Sequence, residues 1–180
     1  LSLSAITSGN VTAETLAKMN QQIIELVTLK VRLKGGDPTL TAAEKARVTT
    51  VAPYNLDAWD GYYAEREILY GTLKTLNKKV VVLAGDTHNA WSADLHSQAG
   101  DFVGVELATS SVSSPGMEKY LSIPLAQLQQ FEMAFTTLID ELNYTNLNQR
   151  GYLKVSFTAQ QVQADWVFVN SIKEKTYTVD

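Results

Sequence analysis

A chain of 180 residues with 45% hydrophobic content can bury one sizeable core, so a single domain or a large part of one is expected. A net charge of -4 and a pI near 5.2 leave no basic footprint for nucleic acid, and the absence of cysteine excludes disulfides, thiolate metal sites and cysteine nucleophiles. No apolar run in the sequence approaches the roughly 18 residues that cross a membrane.

The opening Leu1-Ser2-Leu3-Ser4 has neither an initiator methionine nor the regions of a signal peptide, so it reads as a chain cut from something longer. From Thr12 to Leu33 the residues Leu16, Met19, Ile23, Leu26, Val27 and Val31 recur at spacings near three and four, which predicts an amphipathic helix. Lys34-Gly35-Gly36-Asp37-Pro38 ends it, and Thr41-Ala42-Ala43-Glu44 has the capping-box pattern of a second, short helix. Pro53-Tyr54-Asn55 breaks the chain. Residues 1–52 are thus a helical lead-in and residues 53–180 the motif-bearing part of one domain fragment. Trp59, Tyr62, Tyr63, Ile68, Leu69 and Leu73 predict another helix from Trp59 to Leu76.

Val80-Val81-Val82-Leu83-Ala84 is an unbroken apolar run, as expected of a strand buried on both faces inside a parallel sheet. Beyond it, Ala90 to His96 reads as a short helix, Gln98 to Asp101 as a turn and Phe102 to Ala108 as a second strand. Thr109 to Gly116 is a polar loop placed to offer hydroxyls and backbone N–H groups to a site, although linkers share its composition. Pro124 to Leu142 predicts a helix. Tyr152 to Thr158 and Val162 to Val169 alternate in polarity and predict a hairpin. The whole is α/β, with a terminal antiparallel pair extending the sheet.

The chemistry concentrates where the apolar run stops, at Gly85-Asp86-Thr87-His88-Asn89. Ligands of open α/β sheets bind at the carboxyl ends of strands, and Asp86 and His88 can reach one point from a tight loop there. A neutral imidazole nitrogen from His88 and a hard carboxylate oxygen from Asp86 suit a metal such as calcium, magnesium, manganese or iron. Asn89 is placed to orient a substrate oxygen or a neighbouring ligand. The plainer alternative is a turn in which Thr87 or Asp86 caps a following helix and His88 lies on the surface.

Other residues carry less. Glu106 interrupts the apolar strand Val103-Gly104-Val105-Glu106-Leu107 and is either an acid supporting the site or a solvent-facing side chain. Arg66, in Glu65-Arg66, is either an anion-binding group or part of a solvated helix face. His96 fits a solvent-facing helix end, and Arg150-Gly151-Tyr152 the turn into the hairpin. Ser113 and Ser114 have no nearby base for a Ser-His-Asp nucleophile.

Taken in order, Trp59-Asp60-Gly61-Tyr62-x-x-Glu65-Arg66, Val82-Leu83-Ala84-Gly85-Asp86-Thr87-His88-Asn89-Ala90-Trp91, Val103-Gly104-Val105-Glu106, Ser113-Ser114 and Arg150-Gly151-Tyr152 resemble the carboxyl-terminal half of PhoD-like alkaline phosphatases, also described as phosphodiesterases. These belong to the calcineurin-like metallophosphoesterases. The similarity runs from about Pro53 onward. It implies part of a layered α/β sandwich, hydrolysis of phosphate mono- or diesters, and two metal ions: iron and calcium, with manganese, magnesium or zinc as substitutes. By the match of Gly-Asp-x-His, Asp86 would ligate one ion and His88 the other, with Asn89 close by. Glu106 and Arg66 match family positions as residues behind the ligands or facing phosphate. The resemblance also implies export to the periplasm or outside the cell through a signal outside this chain.

The superfamily's earlier ligand motifs, Asp-x-His, Gly-Asp-x-x-Asp and Gly-Asn-His, do not occur ahead of Gly85-Asp86-Thr87-His88. Gly9-Asn10-Val11 lacks the histidine, and Gly36-Asp37-Pro38 follows no strand. The carboxylate that should bridge the two metals is therefore missing. The expectation is a second half whose partner is the amino-terminal half of the same protein, with metal absent or partial in this piece alone. The rivals are a non-catalytic interaction module or inactive fragment, and an unrelated hydrolase using one metal.

Overall fold

The computed structural model describes residues 12–51, 53 and 55–179. The opening residues, Gly9-Asn10-Val11 and Tyr54 lie outside the described residues. The first helix, α1 (Ala13–Lys34), begins at Thr12, whose hydroxyl accepts the Thr15 N–H, and ends at Gly35 with Arg32 and Lys34 in its last turn. Basic side chains there complement the negative end of the helix dipole. α2 (Ala42–Thr49) opens on the expected capping box between Thr41 and Glu44. α3 spans Tyr63–Thr75, starting four residues later than its periodicity suggests, because Trp59 to Tyr62 form turns instead.

Six strands and two further helices follow. They are β1 (Val81–Ala84), β2 (Ala90–His96), β3 (Phe102–Ala108), the single turn α4 (Met117–Tyr120), α5 (Leu128–Leu138), β4 (Leu142–Asn146), β5 (Arg150–Phe157) and β6 (Val162–Val169). Ala90 to His96 is a strand and not the helix expected. Its alternation of Trp91, Ala93 and Leu95 with Ser92 and Asp94 has period two, and ladders on both sides, to β3 and β4, satisfy its backbone. The helix expected from Pro124 to Leu142 is a 3-10 turn (Leu125–Gln127) and α5, and Leu142 already belongs to β4.

The main sheet has the order β1-β3-β2-β4, with β1 and β3 parallel and the other neighbours antiparallel. Paired residues share a face, so Trp91 and Thr145 point one way, Ser92 and Tyr144 the other. On the first face Trp91 meets Phe135 of α5 edge-on at 6.3 Å. Phe131, Leu128, Met19, Leu121, Ile123 and the fully buried Leu147 complete this core. On the opposite face Tyr144 packs against Trp166 of the hairpin at 5.1 Å. The result is helices, sheet and hairpin in layers. Lys30, only 4% exposed, ties α1 to the end of α5 through Asp140 at 2.5 Å and also bonds the Val48 carbonyl.

Two expectations about the sheet are corrected. The β5-β6 hairpin does not extend the sheet; it is a separate two-stranded ribbon. The chain leaves the sheet at Leu147, which is buried in the helical core with its N–H held by Glu132, and Trp166 then seats the ribbon on the opposite face by donating to the Ala108 carbonyl at 2.9 Å. The strand expected in the interior, β1, is an edge among the described residues, with Leu83 55% exposed. Its continuous apolar run matches a strand covered on all sides, and among the described residues only β3 pairs with it.

Candidate metal centre

The parallel pair fixes the location. Val81 to Ala84 align with Val105 to Ala108, so the loops leaving β1 and β3 emerge at the same sheet edge. The first loop carries Asp86 and His88, and the second is residues 109–116. Both Asp86 (φ 66°) and His88 (φ 61°) occupy the left-handed region. Aspartate and histidine tolerate it better than most residues, and backbone strain of this kind gathers at functional sites.

Thr87 and Asn89 make the loop rigid. The Thr87 hydroxyl donates to the Asn89 carbonyl at 2.9 Å and accepts the Trp91 indole N–H at 2.9 Å. Asn89 is 4% exposed; its Nδ2 donates to the Thr87 carbonyl at 2.7 Å and its Oδ1 accepts the Met117 N–H at 2.9 Å. Its amide therefore binds backbone on both sides of the site. No helix follows the motif for Asp86 or Thr87 to cap.

His88 is half-buried, and its Nδ1 lies 3.0 Å from the Pro115 carbonyl oxygen. A carbonyl only accepts, so Nδ1 carries the proton and donates it, which leaves the Nε2 lone pair free. Backbone carbonyls commonly orient metal-binding histidines in this way. The Asp86 carboxylate is exposed on the same loop. Such a pair fits a divalent ion, one hard oxygen and one fixed imidazole nitrogen. Among the described residues no group of three or more His, Asp or Glu is positioned to hold a metal. Among the described residues this loop offers two candidate donors, fewer than the three or more that metal sites use.

The structure keeps the other two candidates apart from this loop. Arg66 sits on α3, 3.6 Å from Asp60 and with its guanidinium over the Tyr63 ring; its Nε is buried without a partner. Glu106 lies in β3 between Val82 and Ala93, and burial raises its carboxyl above the ordinary range. Tyr70 of α3 is likewise raised, by burial first, with Glu106 and Glu67 adding to the effect and Arg66 opposing it. Arg66 and Glu106 thus both act on Tyr70, in opposite senses. His96 ends β2, exposed and edge-on to Phe102.

The 109–116 loop contributes carbonyls where hydroxyls were expected. Ser111 Oγ accepts the N–H groups of Ser113 and Ser114, and its own carbonyl accepts the Gly151 N–H at 3.1 Å. Sequence reasoning does not single out Pro115, since its partner lies 27 residues away. Arg150 and Glu118 escape it for the same reason. They form an ion pair at 2.5 Å with side chains 7% and 16% exposed.

A family model described as PhoD-like phosphatase matches residues 12–166. The alkaline phosphatase D of Bacillus subtilis strain 168 is 30% identical over 124 residues, covering 66% of this chain and 20% of that protein. A solved structure titled "Structure of PhoD" aligns with a TM-score of 0.57 and 28% identity over 71% of this chain and 24% of the other. The chain thus spans about a fifth of the length of the curated relative it matches.

Proposed function

The chain belongs to the PhoD-like phosphatase family, and on that premise we propose that the complete protein hydrolyses phosphate mono- or diesters with Asp86 and His88 as metal ligands. The observation that carries this reading is the His88 hydrogen bond to Pro115, which presents Nε2 as a ligand nitrogen at the carboxyl end of β1. Two ions are implied, iron and calcium by the family resemblance. When bound, they would supply positive charge for the phosphate and a more acidic water.

The residues of this chain have separable tasks. His88 presents one lone pair, held by a fixed ring. Asp86 presents an exposed carboxylate from a backbone conformation it tolerates. Asn89 joins the two loops and keeps them at one spacing, a positioning task in place of direct substrate contact. Glu106 in β3 and Arg66 on α3 stand apart from the loop, so their task is support of the sheet and helix that carry it.

The remaining ligands come from chain outside these residues. That remainder also covers the free edge of β1, whose apolar residues and unpaired backbone suit strand addition. By itself this chain is a non-catalytic part. Export to the periplasm or beyond belongs to the same family-based reading.

The experiment is steady-state hydrolysis of p-nitrophenyl phosphate and its bis ester, with metal analysis, on the complete protein and on the 180-residue chain. Activity and bound metal are expected in the first and negligible in both respects in the second. Chelator-sensitive turnover by the pure 180-residue chain, or none by the complete protein, would overturn the proposal.

A further inference from the structure

We propose that the buried Arg150–Glu118 ion pair is a positioning device for His88, holding the 111–118 segment so that the Pro115 carbonyl selects the ring's tautomer. The proposal rests on the phosphoesterase reading only for why His88 matters. The connection itself is geometric. Arg150 Nη2 binds Glu118 Oε1 at 2.5 Å, and Arg150 Nη1 donates to the Asn148 carbonyl, anchoring the guanidinium to the start of β5. Glu118 stands three residues beyond Pro115, whose carbonyl accepts from His88 Nδ1 at 3.0 Å.

Between the two lies Gly116, seated so closely that a Cβ there would come within 2.6 Å of both Asn89 Oδ1 and the Leu147 carbonyl, and within 2.7 Å of Glu118 Oε2. The segment is clamped at further points by Gly151 N–H on the Ser111 carbonyl and by Asn89 on the Met117 N–H. A turn that only needed to close could do so without a charge. An ion pair whose side chains are 7% and 16% exposed loses most of its hydration. Glu118 Oε2 and Arg150 Nε are buried without partners, so the pair is not optimised for stability alone. What it does is fix a carbonyl with a short lever arm to the histidine ring. Metal-binding histidines owe their orientation to such partners.

The test reads the tautomer directly and needs neither metal nor substrate. The chain has two histidines, so long-range proton–nitrogen NMR of the 15N-histidine-labelled protein, recorded at a pH above which the nitrogen shifts no longer change, gives two patterns, with His96 as the internal reference. His88 is expected as the Nδ1–H tautomer and His96 as the Nε2–H form that imidazole prefers when nothing selects otherwise. Arg150→Gln should reverse the dominant tautomer of His88 and leave His96 unmoved. Glu118→Gln, which removes the charge from the other partner and keeps the side chain's shape, supplies the same comparison if Arg150→Gln does not fold. An Nε2–H pattern for His88 in the unaltered protein, or an unchanged Nδ1–H pattern in a folded Arg150→Gln, would overturn the proposal. Failure here removes the latch alone, because phosphatase activity is read in a separate experiment.

Discussion

The Thr109 N–H donates to the Ala84 carbonyl at 3.0 Å, tying the last residue of β1 to the first residue past β3. That bond sets the two loops of the candidate site at one level. The candidate site proposed at this edge therefore rests on sheet register as much as on the Gly-Asp-x-His string.

On the proposed reading, His88→Ala in the complete protein removes a ligand nitrogen. With the loss of an ion go the charge on phosphate and the acidified water, so kcat should fall by about 10³-fold or more. His96→Gln, at the exposed end of β2, is the matched control and should change kcat little. Kinetics with metal analysis on both variants checks this, and normal metal content in His88→Ala would remove the residue from the site. Asp86→His should fold, since histidine also tolerates a positive φ, and should shift metal preference from calcium toward manganese or zinc.

Truncating Asn89 exposes the joint between the loops. Asn89→Ala leaves the Met117 N–H and the Thr87 carbonyl without their partner in a buried setting. A loss of about 1–3 kcal/mol in unfolding free energy is expected. Urea denaturation of the 180-residue chain measures it; a change below a few tenths would show that water replaces the side chain.

The sequence reveals the site's location and conceals its supports. The strand ending at Ala84 and the loop carrying Asp86 and His88 are legible because a continuous apolar run stops at a polar cluster. α1, α2, β3 and the hairpin strands are equally legible from period and caps. β2 is not, because the seven residues Ala90–His96 carry Asp and Ala, which suit either structure; cross-strand pairing on both sides decides it. Ser92 and Asp94 alternating with Trp91, Ala93 and Leu95 is the signal that marks the strand. Leu142–Asn146 merges into a predicted helix because Leu138, Ile139 and Leu142 continue a helical spacing, and β4 forms only because β2 is there to receive it. Pro115 and Glu118 leave no local trace, and Arg150, legible only as part of Arg150-Gly151-Tyr152, gives no sign of its partner, since each acts through a residue far along the chain.

Glu106 gives a pH test with a definite sign. Burial raises its carboxyl above the ordinary 4.5. The folded protein therefore holds that proton more tightly than the unfolded chain does. The stability so contributed is present below the unfolded value and is lost as pH rises through the folded one. Glu106→Gln removes the titration, so the variant should gain on the unaltered protein as pH rises. Glu132 is raised too, by burial, and is common to both proteins, so the difference between them isolates Glu106. Urea midpoints of both at about pH 4 and about pH 8 bracket the window. A gap that does not change between them would show that Glu106 is well solvated.

The edge of β1 tests the missing surface. Leu83 is 55% exposed in this chain, and its strand is paired on one side only. A lysine there would meet water, so Leu83→Lys in the 180-residue chain should change unfolding free energy by no more than about 0.5 kcal/mol. In the complete protein, where the remaining chain is proposed to cover the edge, the same substitution gives up the burial of a leucine side chain and brings a charge toward an apolar contact. The loss there should be about 2 kcal/mol or more. Thermal denaturation of both proteins, each with and without the substitution, makes the comparison. Charged residues on an open edge also discourage strand-to-strand association, so Leu83→Lys should make the shorter chain more soluble and leave the solubility of the complete protein no better. Equal, small effects in the two proteins would mean that β1 remains an edge in the complete protein and that the rest of the chain docks elsewhere.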